Sequence, residues 1–185
     1  LVNQFYSWTN NLVPNKFPSL DGDHPRMVIP FRDSKGDIFA YQGRAFGKEK
    51  PKYITIILDE SVPKIFGLDR VDTTSDILVV EGPIDSLFIQ NCIAVAQSDL
   101  RVPQYKDKAI LVPDNEPRNK QIIQQLERAI DDNYRVVIWP DYVRQKDIND
   151  MILSGLDAVE IMDIISNNTF QGLSAKVELQ KWKRT

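Results

Sequence analysis

Cysteine and histidine are almost missing from this sequence: Cys92 and His24 are each the only one of their kind among 185 residues. A lone cysteine excludes an internal disulfide. One Cys with one His cannot supply the ligand set of a structural zinc site. Cys92 is expected as a buried apolar thiol in a reducing compartment, and His24 as a local turn contact. Any bound metal must then be held by carboxylates, which points to Mg²⁺ or Mn²⁺. Long apolar runs are missing too. None approaches the roughly 20 residues that span a bilayer, and no secretory pattern opens the chain. There is no internal repeat and no low-complexity segment. The first residue is Leu1 rather than Met, so the sequence is read as part of a longer chain.

What remains is an ordinary globular composition, 42% hydrophobic and 26% charged, with length enough for one or two domains and a real core. The net charge of −3 argues against a protein that coats nucleic acid. The charge is unevenly spread, however. Between His24 and Ile56 lie Arg26, Arg32, Lys35, Arg44, Lys48, Lys50 and Lys52, against Asp33, Asp37 and Glu49. The acids gather further on. A basic segment beside an acidic one suits a site that holds both a polyanion and a metal.

The spacing of Phe5, Trp8 and Leu12 predicts a short amphipathic helix, after which Pro14, Pro18 and Pro25 break the chain. Residues 27–31 predict a strand, Asp33 to Gly36 a turn, and residues 37–44 the returning strand of a hairpin. Residues 53–58 add another strand, and residues 61–74 a connector. From Asp76 the pattern becomes strand, helix, strand, helix. Strands are expected at 77–80, 92–96, 109–112 and 135–139. Helices are expected after Glu81, with Ile84, Leu87 and Phe88 on one face, then through Ile122–Ile130, at 148–154 and at 157–166. Such alternation predicts a parallel sheet with crossover helices. Residues 170–185, ending Lys181-Trp182-Lys183-Arg184, read either as a docking strand or as a small basic patch.

In a parallel sheet all strand C-termini share one edge. Glu81 closes one strand there, followed by Gly82 for a tight turn and by Pro83. Asp85 lies in the turn that follows. Asp114 closes another strand, with Glu116 two residues on. Lys146, Asp147 and Asp150 follow a further strand. Crowded carboxylates repel one another, and a divalent cation removes that cost. Capping of helices would account for Asp147 and Asp150 equally well, but Glu is not a favoured cap, so Glu81 calls for another explanation.

The run Glu81-Gly82-Pro83-Ile84-Asp85 resembles the glutamate motif of Toprim domains, and Asp114-Asn115-Glu116 resembles their second acidic motif, usually Asp-x-Asp. Upstream, Arg26 to Asp33, Gly36, Tyr41 to Arg44 and Pro51 to Tyr53 resemble the subdomain that precedes Toprim in bacterial-type (DnaG-like) replicative primases. Ile65 to Leu68 continues the likeness, and Lys146-Asp147 with Asn149-Asp150 resembles the late acidic motif. The likeness covers roughly residues 26–153. Glu116 where Asp is usual, together with a short connector between Lys52 and Asp76, resembles the primases of large tailed bacteriophages.

The resemblance implies an α/β fold: a small mixed antiparallel subdomain (1–74), a Toprim catalytic domain (75–168) and a C-terminal tail (169–185). It implies a DNA primase catalytic core that makes short RNA primers from NTPs on a single-stranded DNA template. Glu81, Asp114 and Glu116 would be catalytic, and with Asp147 would hold Mg²⁺ or Mn²⁺. Asp85, Lys146 and Asp150 would support them, and Arg26, Arg32, Arg44 and Lys52 would guide template or nucleotide. A replicative helicase and a separate or removed N-terminal zinc ribbon are the expected partners, without membrane or zinc in this chain. The expected location is the cytoplasm, the bacterial host's if phage-encoded. A Toprim nuclease would use the same acids without needing NTPs. A non-catalytic module binding single-stranded DNA or recruiting a helicase would not need the acids. A topoisomerase would require a further domain carrying a catalytic tyrosine.

Overall fold

The computed structural model describes residues 1–97 and 99–184. Ser98, inside the expected catalytic domain, and Thr185, the last residue of the expected tail, lie outside the described residues. The chain divides into two compact units, Leu1–Lys64 and Ile65–Thr185.

The first unit begins with α1 (Phe5–Leu12), followed by β1 (Arg26–Arg32), β2 (Ile38–Ala45) and β3 (Tyr53–Ile57) in one antiparallel sheet of order β1-β2-β3. The hairpin turns where expected. Asp33 Oδ1 accepts from the backbone N–H groups of Lys35 and Asp37 at 2.9 Å, and Gly36 takes φ +91°. Helix α1 lies over the sheet and buries Phe5 with Tyr41 and Ile56. Gly43 on β2 is what lets it in, since a Cβ there would overlap the Phe5 ring. The Tyr41 hydroxyl donates to Thr9 Oγ1 at 3.1 Å, so this buried phenol has its polar partner.

The second unit holds a sheet of order β5-β4-β6-β7-β8, made of β4 (Ile77–Val80), β5 (Cys92–Ala94), β6 (Ala109–Leu111), β7 (Arg135–Val137) and β8 (Thr169–Phe170). The first four run parallel, and β8 closes one edge antiparallel to β7. All four residues of β4 are buried, as its continuous apolar run requires of a strand covered on both faces. Around the sheet lie α2 (Lys120–Asp131), α3 (Ile148–Leu153), α4 (Ala158–Asn167) and α5 (Gly172–Trp182). Helix α2 buries Ile122, Leu126, Ala129 and Ile130. Its N-terminus is capped by Asn119, whose side-chain oxygen accepts from Gln121 and Ile122 N–H. Among the described residues no helix is long and apolar enough to cross a membrane.

Three expectations are corrected. The segment after Glu81 is not a helix but a single 3₁₀ turn, Asp85–Leu87. Only a short link joins β4 to β5, less than the dozen or so residues a helical crossover needs, and Asn91, at φ +45°, ends it. Leu87 is accordingly exposed and Ser86 buried, where the Arg70 guanidinium donates to Ser86 Oγ at 2.8 Å. The connector does not end the first unit at residue 74. Ile65 is in the core of the second unit, and Phe66 exchanges two backbone hydrogen bonds with Ala94, at 2.7 and 3.0 Å. The tail is more than a docking strand or a loose patch: Thr169 and Phe170 do dock, as β8 on β7, but most of it is helical. It forms α5, which packs on α2, β7 and β8 and buries Ala175, Leu179 and Trp182.

If α5 belongs to the core, truncating its buried ring should resemble any large-to-small core change. Trp182→Ala is expected to destabilise the second unit by about 3–5 kcal/mol in urea unfolding. A change under about 1 kcal/mol would show a tail that does not contribute.

Candidate active site

Strands β4 and β6 are parallel neighbours, so their C-terminal ends deliver Glu81 and Asp114 side by side. Gly82 then turns the chain so sharply that a Cβ at this position would overlap Asp85 Oδ2. The other Asp85 oxygen accepts from Asn149 N–H at 2.9 Å, at the start of α3. Asp85 thus ties the Glu81 turn to the segment that carries Lys146, Asp147 and Asp150. Asp147 is the N-cap of α3, its Oδ1 accepting from Asp150 N–H at 2.8 Å. The capping role foreseen for Asp147 is therefore real, and it occupies one of its two oxygens. Asp150 stands exposed in the first turn of that helix.

The Lys146 ammonium lies 2.9 Å from Glu116 Oε1 and 3.5 Å from Asp114 Oδ2. It is the internal counter-charge of the cluster, and its hydrogen bond holds the Glu116 carboxyl below its ordinary value while the Lys146 ammonium rises. Glu81 is not reached in this way. Burial first, then the Asp114 charge, push its carboxyl up to about 8. Asp114 rises to about 6, again chiefly through burial, with Asp147, Asp85 and Glu116 adding to it. Two neighbouring acids whose proton affinity is raised by burial and by nearby carboxylate charge mark a site short of positive charge. Among the described residues no group of three or more His, Cys, Asp or Glu side chains stands in the arrangement of a metal site. The donors do fit a hard divalent cation in kind: all are carboxylate oxygens, and protons on them are what such an ion displaces.

The residue that assembles this edge had no role in the sequence reading. Asn115, between the two acids of its motif, donates its backbone N–H to Lys146 O at 2.6 Å. Its side-chain amide donates to Val143 O at 3.0 Å and to Gln145 O at 3.1 Å. Its Oδ1 accepts from the Trp182 indole at 3.1 Å, and the Trp139 indole donates to Pro113 O at 2.7 Å. Loop 143–146, α5 and the acid turn are thereby fastened together. Only the position of Asn115 between two acids hinted at this, since its partners lie 28 to 67 residues away in sequence. Arg70, which also donates to Ser86 O and Cys92 O beneath the Glu81 turn, was likewise missed.

The basic residues lie in the first unit. Arg44 and Lys52 flank the half-exposed Tyr53 ring, with the guanidinium 5.8 Å and the ammonium 5.5 Å from its centroid. Arg32 is exposed, donating to Gly36 O at 2.6 Å. Arg26 is corrected: it lines no groove. It is 0% exposed, and its Nη1 donates to Gly43 O at 3.2 Å and Pro51 O at 3.0 Å while the guanidinium sits over the Phe5 ring. It ties β2 to the strand connection, which withdraws it from any ligand.

No family model matches the chain. Over 180 residues, 95% of its length, it is 41% identical to the DNA primase of Enterobacteria phage T4. The chain spans about half of that relative, 52% of its length. A DNA primase domain from Pseudomonas aeruginosa is similar in structure, with TM-score 0.64 and 21% identity over 85% of this chain and 57% of that one. So is a DnaG primase catalytic domain bound to ssDNA, with TM-score 0.61 and 19% identity over 82% and 54%. The fold is therefore that of the primase catalytic core.

The raised carboxyls set a direction for stability. Between about 4.5 and 8 the folded chain keeps a proton on Glu81 that the unfolded chain releases, and Asp114 does the same between 3.8 and about 6. Stability of the chelator-treated protein must then fall as pH rises through that range. Melting temperature is expected to drop from about pH 5 to about pH 8, and Glu81→Gln to flatten the upper half of the drop. A flat wild-type profile would contradict the assignment. Separately, Asn115→Ala leaves the indole of Trp182 and two carbonyls unpartnered, an expected loss of about 1–3 kcal/mol in urea unfolding.

Proposed function

We propose that this chain is the catalytic core of a DNA primase, of the kind carried by large tailed phages, joining NTPs into short RNA primers on single-stranded DNA. The observation that supports it most is the acid pair Glu81 and Asp114, half-buried at neighbouring strand ends with raised proton affinity, in a chain 95% of which aligns with a DNA primase. In this reading Glu81, Asp114, Glu116 and the uncommitted oxygen of Asp147 would hold Mg²⁺ or Mn²⁺. Bound there, the ion would neutralise the phosphate charge and acidify the attacking hydroxyl.

The reaction joins a 3′-hydroxyl to an α-phosphate, with pyrophosphate leaving. Most of it is positioning and charge neutralisation. Alternatively Glu81, the carboxyl with the most strongly raised proton affinity, would in its ionised form accept the 3′-hydroxyl proton instead of holding the ion. Lys146, paired with Glu116 and Asp114, would supply positive charge to the triphosphate. Asp85 and Asp150 support the turn and the α3 start. Arg32, Arg44 and Lys52 would meet the template backbone, with Tyr53 offering a ring between two cations. A DnaG catalytic domain similar in structure is known bound to ssDNA, which supports that choice of template. A replicative helicase and a zinc-ribbon module are the partners this function calls for, and the host cytoplasm its setting.

The test is primer synthesis on single-stranded DNA with labelled NTPs. Glu81→Gln, Asp114→Asn and Glu116→Gln should each lower it by at least about 10²-fold. Full activity in all three variants would refute the site. Cleavage of DNA without NTPs would favour a nuclease instead. A second readout needs no turnover: millimolar Mg²⁺ should raise the melting temperature more at about pH 8 than at about pH 5, because fewer protons then compete for the same oxygens.

A further inference from the structure

Three basic stretches far apart in sequence meet beside the acid turn of the second unit. Pro117 and Arg118 follow Glu116, Arg144 lies in loop 143–146, and Arg184 follows α5. An open groove of about 520 Å³ runs from Glu116 past Arg118 to Arg184. A second cavity of about 140 Å³ continues from Arg184 to Arg144 over Trp139 and Trp182, sharing Pro117 and Arg184 with the first.

The placement of Arg184 is fixed by two bonds. The Arg184 backbone N–H donates to Pro117 O at 2.9 Å, and its guanidinium to Asp141 Oδ1 at 2.8 Å. The guanidinium groups of Arg118 and Arg144 make no hydrogen bond or ion pair with the described residues, and both side chains are exposed. The tail lysines differ. Lys181 pairs with Glu178 and Lys183 with Glu127. Of the acids lining the groove, Asp141 is matched by Arg184 and Glu116 by Lys146. The groove therefore carries uncompensated positive charge directly beside the acid centre.

We propose that this groove is a second contact for a nucleic-acid strand, in which Arg118, Arg144 and Arg184 grip the phosphodiester backbone as it passes the acid centre. The choice of ligand rests on the primase reading above. Guanidinium forks match phosphate geometry and carry no sequence information. The floor supports the same conclusion: Trp139 and Trp182 are 3% and 5% exposed and present no face on which a base could stack. The groove is open to solvent, which suits a passing strand better than an enclosed triphosphate.

Binding of a fluorescent single-stranded DNA oligonucleotide, followed by anisotropy across KCl concentrations without Mg²⁺ or NTP, tests this apart from priming. Each single-strand phosphate contact contributes about 0.7 to the slope of log K against log salt. The variant Arg118→Gln/Arg144→Gln/Arg184→Gln should lower the slope by about 2 and weaken low-salt binding about tenfold or more. Lys176→Gln, whose charge is paired with Asp131 of α2 and does not line the groove, should change neither. The triple Arg→Lys variant should restore most of the slope and guards against misfolding, as does the single change Arg144→Gln, which should remove about 0.7. A wild-type slope in the triple Gln variant overturns the proposal. So does an unchanged DNA slope together with lost competition by inorganic triphosphate, which would make the groove a nucleotide subsite. Full priming by Glu81→Gln, Asp114→Asn and Glu116→Gln together with the expected slope change would remove the reading of the acid centre and leave the groove standing.

Discussion

Like charges that must stay close are the constraint on which the second unit depends. Parallel strands β4 and β6 bring Glu81 and Asp114 to one edge, and the turn after β6 adds Glu116. Nothing in a buried sheet edge relieves three carboxylates. The chain answers with one ammonium, Lys146, and the two acids it does not fully neutralise hold their protons to higher pH than free carboxyls, Glu81 most of all. An arrangement that is costly when empty and relieved by added cation has its charge deficit prepared in advance.

Holding that arrangement is mainly the work of uncharged groups. Asn115 binds the carbonyls of loop 143–146 and two indoles bind the turn around it, while the Asp85 carboxylate accepts from Asn149 N–H at the start of α3. Each bond takes a backbone or amide group that burial would otherwise leave unpaired. The acids are thereby fixed without relying on one another. Gly82 contributes by what it lacks, since any side chain there would displace Asp85.

Much of this was legible in the sequence where a local pattern carries the information. Apolar runs marked β4, β6 and β7, the period of Ile122, Leu126 and Ile130 marked α2, and acids at strand ends marked the site edge. The 3₁₀ turn at Asp85 was misread because Ile84, Leu87 and Phe88 mimic a helical face while the length of the link to β5 forbids one. Arg26 was misread because a buried arginine bonded to backbone carbonyls is indistinguishable, in a basic segment, from an exposed one. The tail was undecided because α5 buries three residues only against α2 and the sheet, partners that no window of sequence contains. Asn115 and Arg70 share that limitation, since every bond that gives them a role is long in sequence.

The two indole bonds have a practical meaning of their own. Trp139 and Trp182 are buried, and both donate N–H into the segment Pro113 to Glu116. The third tryptophan, Trp8, stands in the other unit. The protein thus carries a built-in optical probe. Any event that shifts the polarity or the set of the acid turn alters the surroundings of two emitting rings at once, while Trp8 supplies a constant background, so occupancy of the centre can be followed by intrinsic emission with no label attached.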